Sequence, residues 1–345
     1  MRRAGRIAGR HAALRRHVER RRGWLAPSQA VRLPRRTFGE AYALGAEPPG
    51  AADLIRAEAY AARILGFLQG WTPASVLDVG CNNGALLLAL RRIWPEARLG
   101  GVEPAVRSAA VARALGFNVL PTLRPALRPA LVVAVKVVER TAEPMAFLAG
   151  LRRAVAPGSA CIVICPDATL PWLKWMMADH RWSFTPAALH RAAGAAGLRA
   201  ELAESVPGGF QAVLLRPAPR RPPSPIRGTA SATARRRYMG HWPRLDATLL
   251  PRASTERRLI GFGTGEAARL LRVYAPGTSA RVVAVAADDP AGAAALGRPI
   301  LEPNELRAGR DQILLAERPG AQAGLAARFG AQGLDVLCWD DVVPR

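Results

Sequence analysis

Lysine is nearly missing from this chain. Of its 49 basic side chains only Lys136 and Lys174 are lysines, and arginine supplies the rest. The formal charge of +23 invites a nucleic-acid reading, but the charge is unevenly spread. Residues 1–40 hold twelve arginines against Glu19 and Glu40, and the segment 216–237 adds seven arginines and no acid. Those two stretches carry 17 of the 23 charges, so the remainder is only mildly basic. Aromatic residues make up 6%, thin for stacking on bases. No Asn-Pro-Pro-Tyr or Asn-Pro-Pro-Phe run is present. The arm over residues 1–40 is therefore expected either to contact nucleic acid or another anionic surface, or to be a solvated, partly disordered extension.

Other scarcities exclude further classes. No uninterrupted apolar run approaches the roughly 18–20 residues of a membrane span, since the most apolar stretch, Leu131–Val138, is short and contains Lys136. Residues 1–23 overlap in composition with organelle transit peptides but lack the apolar core of a secretory signal. The four cysteines (Cys81, Cys161, Cys165 and Cys338) form no Cys-x-x-Cys pair, so neither a zinc cluster nor a disulfide framework is expected. Buried free thiols fit a reducing, cytoplasmic compartment.

What is present reads as alternation. Helical spacing over Ala51–Gly70 leads into a strand at Val76–Val79, a helix at Ala85–Trp94 and a strand at Arg98–Val102. A helix at Ala105–Leu115, a strand at Leu131–Val138, a helix at Pro144–Val155 and a strand at Ala160–Cys165 follow. Thr185–Ala196 reads as a helix, with strands near Arg199–Glu204 and Gln211–Leu215. Such alternation predicts an α/β, Rossmann-like fold with a mostly parallel sheet. The stretch Arg216–Arg237 is rich in Pro, Arg, Ser and Thr without apolar periodicity and reads as a linker. The expected organisation is a basic arm (1–50), a first domain (51–216), a linker (217–240) and a smaller Rossmann-like α/β domain (241–345).

In Val76–Gly84 an apolar strand ends in a turn that holds Gly80, Asn82 and Gly84, and a helix begins at once. Glycine and asparagine tolerate left-handed backbone and let a ligand approach. The spacing is Gly-x-x-x-Gly with Asp78 just ahead of it, not the Gly-x-Gly-x-x-Gly that seats a pyrophosphate. Glu103 closes the next strand, 23 residues after Gly80, where a carboxylate can accept from both ribose hydroxyls of an adenosine. This is the arrangement of class I methyltransferases, with Asn82 in place of the middle glycine. It makes S-adenosyl-L-methionine the expected cofactor and Asp78, Gly80, Cys81, Asn82, Gly84 and Glu103 its candidate contacts.

VLDVGCNNGALL followed by GVEPAVRSAAVARALGFNVL resembles the sugar C-methyltransferases that act on nucleotide-linked deoxysugars. HRWSFTPAALHRAAGAAGL is similar to their later His-x-x-x-Phe-Thr-Pro segment. The resemblance covers roughly residues 52–216 and implies methyl transfer to a small molecule, a nucleotide-linked or glycan-attached sugar. Three features depart from that family. Its N-terminal zinc module with paired cysteines has no counterpart here, Glu139-Arg140 stands where Glu-His is frequent, and Ala130 stands where Asp is usual.

Methyl transfer needs alignment and, where the acceptor loses a proton, a base. No metal is expected. Candidate bases are His180, ahead of the Thr185 helix in a region where the family lines its substrate pocket, and Glu139, at the carboxyl end of a strand. Asp179 and Arg140 lie beside them. The aromatic run Pro171–Met177, with Trp182, is expected either to cover the pocket or to pack in the core.

Near the C-terminus, RRLIGFGTGEAARLL reads strand, glycine turn, helix, with Gly263, Gly265 and Ala268 in Gly-x-Gly-x-x-Ala spacing. Asp288 and Asp289 end the following strand. Gly263, Gly265 and Asp288 are thus candidate nucleotide contacts in a domain that either binds a nucleotide or is purely architectural. Lysine is missing after Lys174, and no Tyr-x-x-x-Lys exists, which argues against hydride transfer. Two alternatives remain open: a non-catalytic nucleotide-binding or scaffold protein, and a nucleic-acid methyltransferase that uses the basic arm.

Overall fold

The computed structural model describes residues 47–169, 173–176, 180–206, 209–222, 231–288 and 297–342. Residues 1–46 of the basic arm fall outside them, as do Asp179, Asp289 and residues 223–230 of the Pro/Arg-rich stretch. No described helix is long and apolar enough to cross a membrane. The chain divides into two compact units. One comprises residues 1–169 with 178–228, and the other comprises residues 170–177 with 229–345.

In the first unit, helix α1 (Ala51–Leu68) precedes strand β1 (Ser75–Val79), helix α2 (Ala85–Ile93) and strand β2 (Arg98–Val102). Helix α3 (Val106–Ala114), β3 (Asn118–Leu120), β4 (Leu131–Val135), α4 (Pro144–Ala154) and β5 (Ala160–Pro166) follow. The unit ends with α5 (Pro186–Ala195), β6 (Leu198–Val206) and β7 (Phe210–Pro217). Local chemistry sets several boundaries. Thr185 caps α5 by accepting from the Ala188 amide at 3.2 Å, and Pro186 fills the first helical position where no donor is needed.

The sheet order is β3-β2-β1-β4-β5-β7-β6, parallel except for β7, which is antiparallel to both of its neighbours. Strands β4 and β5 lie at its centre and are apolar throughout, because helices cover both faces. Cys161 and Cys165 are buried there as free thiols. Burial pushes the Cys161 thiol up to about 12, so it is neutral and packs as a small apolar group. The order reverses between β1 and β4, and ligands of open α/β sheets bind outside the carboxyl ends of strands at such a switch point.

Two departures from the sequence pattern have local causes. Strand β4 stops at Val135 instead of running to Val138, because Lys136 takes a left-handed φ of 59° and turns the chain. Strand β3 is only three residues long, too short to show a period.

The second unit has helix α6 (Ser231–His241), helix α7 (Leu245–Leu249), β8 (Arg258–Phe262), α8 (Glu266–Tyr274), α9 (Pro276–Arg281) and β9 (Val282–Ala286). It continues with β10 (Ile300–Leu301), β11 (Asp311–Leu315), α10 (Pro319–Gly330) and β12 (Asp335–Cys338). Its five strands are all parallel, in the order β10-β9-β8-β11-β12. Helix α6 corrects the expected linker over residues 217–240, whose last ten positions are helical. The sequence hides this helix because it lacks an apolar stripe. It is held instead by Tyr238, which packs edge-on against Trp242 at its end. Trp242 in turn lies 5.2 Å from the rings of both Tyr274 and Trp339.

Of the run expected either to cover the pocket or to pack in the core, Pro171, Trp172 and Met177 lie outside the described residues, and two tryptophans that are described pack. Trp175 packs edge-on against Tyr238 in the second unit. Trp182 is buried in the core of the first, and its indole N–H donates to the Thr141 carbonyl at 2.9 Å.

Candidate functional site

The turn between β1 and α2 is tied to the end of β2. The amides of Gly80 and Cys81 both donate to the Val102 carbonyl, at 2.7 and 3.1 Å. Gly80, Asn82 and Gly84 all adopt positive φ, at 85°, 49° and 84°, as the Gly/Asn pattern requires. The reason for glycine differs from the expected close approach of a ligand. A Cβ on Gly80 would lie 2.5 Å from a methyl of Val137, and one on Gly84 would lie 3.2 Å from that of Ala112. Both glycines make room for the protein itself. Gly84→Ala is accordingly expected to destabilise the first unit by about 1–2 kcal/mol through its left-handed backbone. A thermal midpoint equal to wild type would contradict this.

Cys81 points inward, against Gly101 and into the small core formed with Leu87, Ala109 and Ala112. Burial pushes its thiol well above the ordinary range. Its side chain therefore packs, and only its backbone belongs to the turn. Asn83, which the motif does not single out, is buried, and its amide group donates to the Glu47 carbonyl at 3.2 Å and to Asp53 of α1 at 3.4 Å. These bonds tie the start of α1 to the turn. The double Asn was the available signal for it.

Asp78 and Glu103 are the charged pair of the site. Glu103 accepts from the Asn82 amide at 2.9 Å with one oxygen and from the Ala105 amide at 2.8 Å with the other. A carboxylate offers about four lone-pair positions, so each oxygen keeps one for a ligand. Burial raises the Glu103 carboxyl, and the two amide bonds offset part of that rise. Asp78 is 2% exposed, and its Oδ1 is buried with no hydrogen-bond partner. Burial and, secondarily, the nearby charge of Glu103 push its carboxyl up to about 8. An orphaned buried carboxylate oxygen beside a second acid disfavours a pyrophosphate and suits a cationic donor. S-adenosylmethionine, with its ammonium and sulfonium charges and its ribose hydroxyls, fits that donor set.

Residues 53–202 match the family model described as a methyltransferase domain. The first unit thus carries a match to a methyltransferase domain. No curated protein sequence matches the chain. Solved structures similar to it include human N-acetylserotonin methyltransferase in complex with SAM, at 16% identity, covering 62% of this chain and 67% of that one with a TM-score of 0.45. Magnesium protoporphyrin IX methyltransferase from Synechocystis is 12% identical, with 53% and 97% covered and a TM-score of 0.43. Mitomycin 7-O-methyltransferase is 19% identical, with 49% and 55% covered and a TM-score of 0.42. The chain thus spans about half the length of that last relative.

Of the candidate bases of the methyltransferase domain, His180 lies half-buried with its Nε2 3.4 Å from an Arg140 guanidinium nitrogen. Arginine can only donate, so a neutral imidazole that accepts there through Nε2 carries its hydrogen on Nδ1. Glu139 is sealed at 1% exposure in the turn after β4, and its backbone carbonyl accepts from the Trp182 amide at 3.0 Å. The left-handed turn at Lys136 places it four residues beyond the end of β4. Among the described residues no group of three or more His, Cys, Asp or Glu could hold a metal ion.

The glycine turn of the second unit has the expected strand–turn–helix setting but a different environment. Gly263 has φ 110°, and a Cβ there would lie 2.5 Å from a carboxylate oxygen of Glu317 and 2.9 Å from the Ala316 carbonyl. Gly265 caps α8. Burial raises the Glu317 carboxyl, and a pyrophosphate approaching Gly263 would meet it. Asp288, expected to reach a ribose, is held by Arg328 through two bonds of 2.8 and 3.0 Å. These contacts favour the architectural reading of Gly263, Gly265 and Asp288 over nucleotide binding. Because the Asp288–Arg328 pair is largely exposed, Arg328→Ala is expected to lower stability by no more than about 1 kcal/mol, checked by urea unfolding.

Proposed function

We propose that the chain transfers the methyl group of S-adenosylmethionine to a small molecule, and that the acceptor is a nucleotide-linked or glycan-attached sugar. The observation that carries the reading is the partnerless buried Oδ1 of Asp78 beside Glu103, at the switch point of the sheet. Asp78 would take the α-ammonium of the methionine moiety, and Glu103 would accept from the ribose hydroxyls with the lone pairs left by Asn82 and Ala105. The backbone of Gly80–Gly84 lies between the two acids. The sugar acceptor rests on the likeness of VLDVGCNNGALL and HRWSFTPAALHRAAGAAGL to the sugar-methylating family.

The cofactor, held by Asp78, Glu103 and the Gly80–Gly84 backbone, would supply an electrophilic methyl group, the electron pair of the C–S bond staying on sulfur. The protein's part is alignment and proton handling. His180 is the group able to contact the acceptor and take its proton, once the acceptor displaces Arg140 from Nε2. His180→Ala is expected to lower kcat/KM about tenfold, the worth of one good hydrogen bond, while leaving cofactor affinity unchanged. A fall in cofactor affinity of the same size would assign His180 to the cofactor instead.

Calorimetry with S-adenosylmethionine tests the first half of the reading, and no heat at near-millimolar cofactor would overturn it. Transfer of a labelled methyl group to a panel of nucleotide-linked sugars tests the second. Label incorporated into none of them, with cofactor binding intact, would reject the sugar acceptor alone.

A further inference from the structure

The second unit contains a cavity of about 210 Å³ on the α8 and α9 side of its sheet. Of the glycine-turn candidates it is lined by Gly263 but not by Gly265 or Asp288. Its origin is legible strand by strand. Side chains alternate across β8, and Ile260 and Phe262 join Ile313, Leu315 and Phe329 in the core on one face. Gly261 brings no side chain to the other face, where Ala268 of α8, Ala280 of α9 and Ala316 after β11 also line the space. Small residues thus meet where doubly covered parallel sheets ordinarily present branched ones.

The polar end of the cavity is basic. Arg272 of α8 and Arg298 ahead of β10 line it, both with exposed side chains, and none of the described lining residues is acidic. Glu317 lies across Gly263 but is not part of the lining. An apolar cavity of about 150 Å³ takes up a ligand the size of benzene. This one is larger and has Arg272 and Arg298 in its lining, side chains whose guanidinium groups pair with planar carboxylates.

We propose that this cavity is a binding site for a small, mostly apolar carboxylate, with the apolar body between β8 and α8 and the carboxylate at Arg272 and Arg298. The site is independent of the methyltransferase crevice in residues and in chemistry. The apolar body supplies most of the affinity, since arginine pairs near solvent contribute little, and the arginines set the preference for an acid.

The test uses the full chain titrated with 2-naphthoate and with its neutral counterpart 2-naphthamide, followed by calorimetry or ligand-observed NMR. Saturable binding of the acid, with the amide at least fivefold weaker, is the expected result. Ala268→Leu fills the space and should abolish uptake. The double variant Arg272→Gln, Arg298→Gln alters only exposed side chains and should reduce affinity for the acid to that for the amide. S-adenosylmethionine affinity should be unchanged in each. No saturable uptake by wild type, equal affinity for acid and amide, or undiminished binding by the double variant would each overturn the proposal. If Ala268→Leu fails to fold, the double variant decides alone.

Discussion

Replacing Glu103 with alanine is expected to weaken S-adenosylmethionine binding by about 10- to 100-fold. Each hydrogen bond to a charged acceptor contributes about 1.5–3 kcal/mol, and two ribose hydroxyls would lose their acceptor. The estimate stays below that sum because burial already penalises the ionised carboxylate, so part of the gain from binding offsets an existing cost. Glu103 also holds the amides of Asn82 and Ala105, so the turn itself would relax. Glu103→Gln separates the two effects. The amide keeps one acceptor oxygen and the shape of the side chain, and should recover thermal stability before it recovers affinity. Calorimetry of both variants against S-adenosylmethionine and S-adenosylhomocysteine reads the result. Wild-type affinity in Glu103→Ala would mean that the ribose lies elsewhere.

The second large effect is on pH. The Asp78 carboxyl sits at about 8 in the folded protein, raised first by burial and then by Glu103. A cationic ligand binds the ionised form better, so binding should release a proton and tighten as pH rises. Between pH 6 and pH 7.5 the ionised fraction grows about 25-fold, and the dissociation constant should fall by about that factor. Calorimetry in buffers of different ionisation enthalpy should show close to one proton released per cofactor bound. Asp78→Asn should flatten the profile and abolish the release, and a variant that retained both would place the titrating group elsewhere. The free protein should show the opposite trend. A carboxyl whose folded value lies above its unfolded value favours folding while protonated. Its contribution is therefore lost as pH climbs from about 4 towards 8, and the thermal midpoint of the ligand-free protein should decline over that range. Asp78→Asn should decline less.

Much of this fold and site is legible without coordinates, and the reasons are local. Alternating apolar runs and amphipathic stretches fix the strands and helices of both units, because burial on two faces demands β4 and β5 be apolar throughout. The turn at Gly80–Gly84 is written in the two residue types that tolerate positive φ, and Glu103 follows at the distance one strand–helix–strand step imposes. Other features were hidden because nothing local encodes them. Helix α6 lacks an apolar stripe and depends on Tyr238 and Trp242 meeting Tyr274 and Trp339 from distant parts of the chain. Glu139 reads as the end of a strand, yet the left-handed turn at Lys136 ends β4 at Val135. Gly263, Gly265 and Asp288 have the spacing of a nucleotide fingerprint, yet Glu317 and Arg328 approach from 54 and 40 residues away and take up that space and that carboxylate.

The opening SVLDVGCNNGALLL motif shows the division most clearly. Sequence alone determined a strand, a left-handed turn and a helix, with an acid before the turn and another one strand later. Only the tertiary structure decided what those residues face. Packing against Val137 and Ala112 explains the glycines, Gly101 receives the Cys81 thiol, and burial beside Glu103 raises the Asp78 carboxyl and leaves its Oδ1 without a hydrogen-bond partner. Spacing along a chain specifies backbone geometry, whereas desolvation and unmet hydrogen bonds depend on neighbours that the chain brings in from elsewhere.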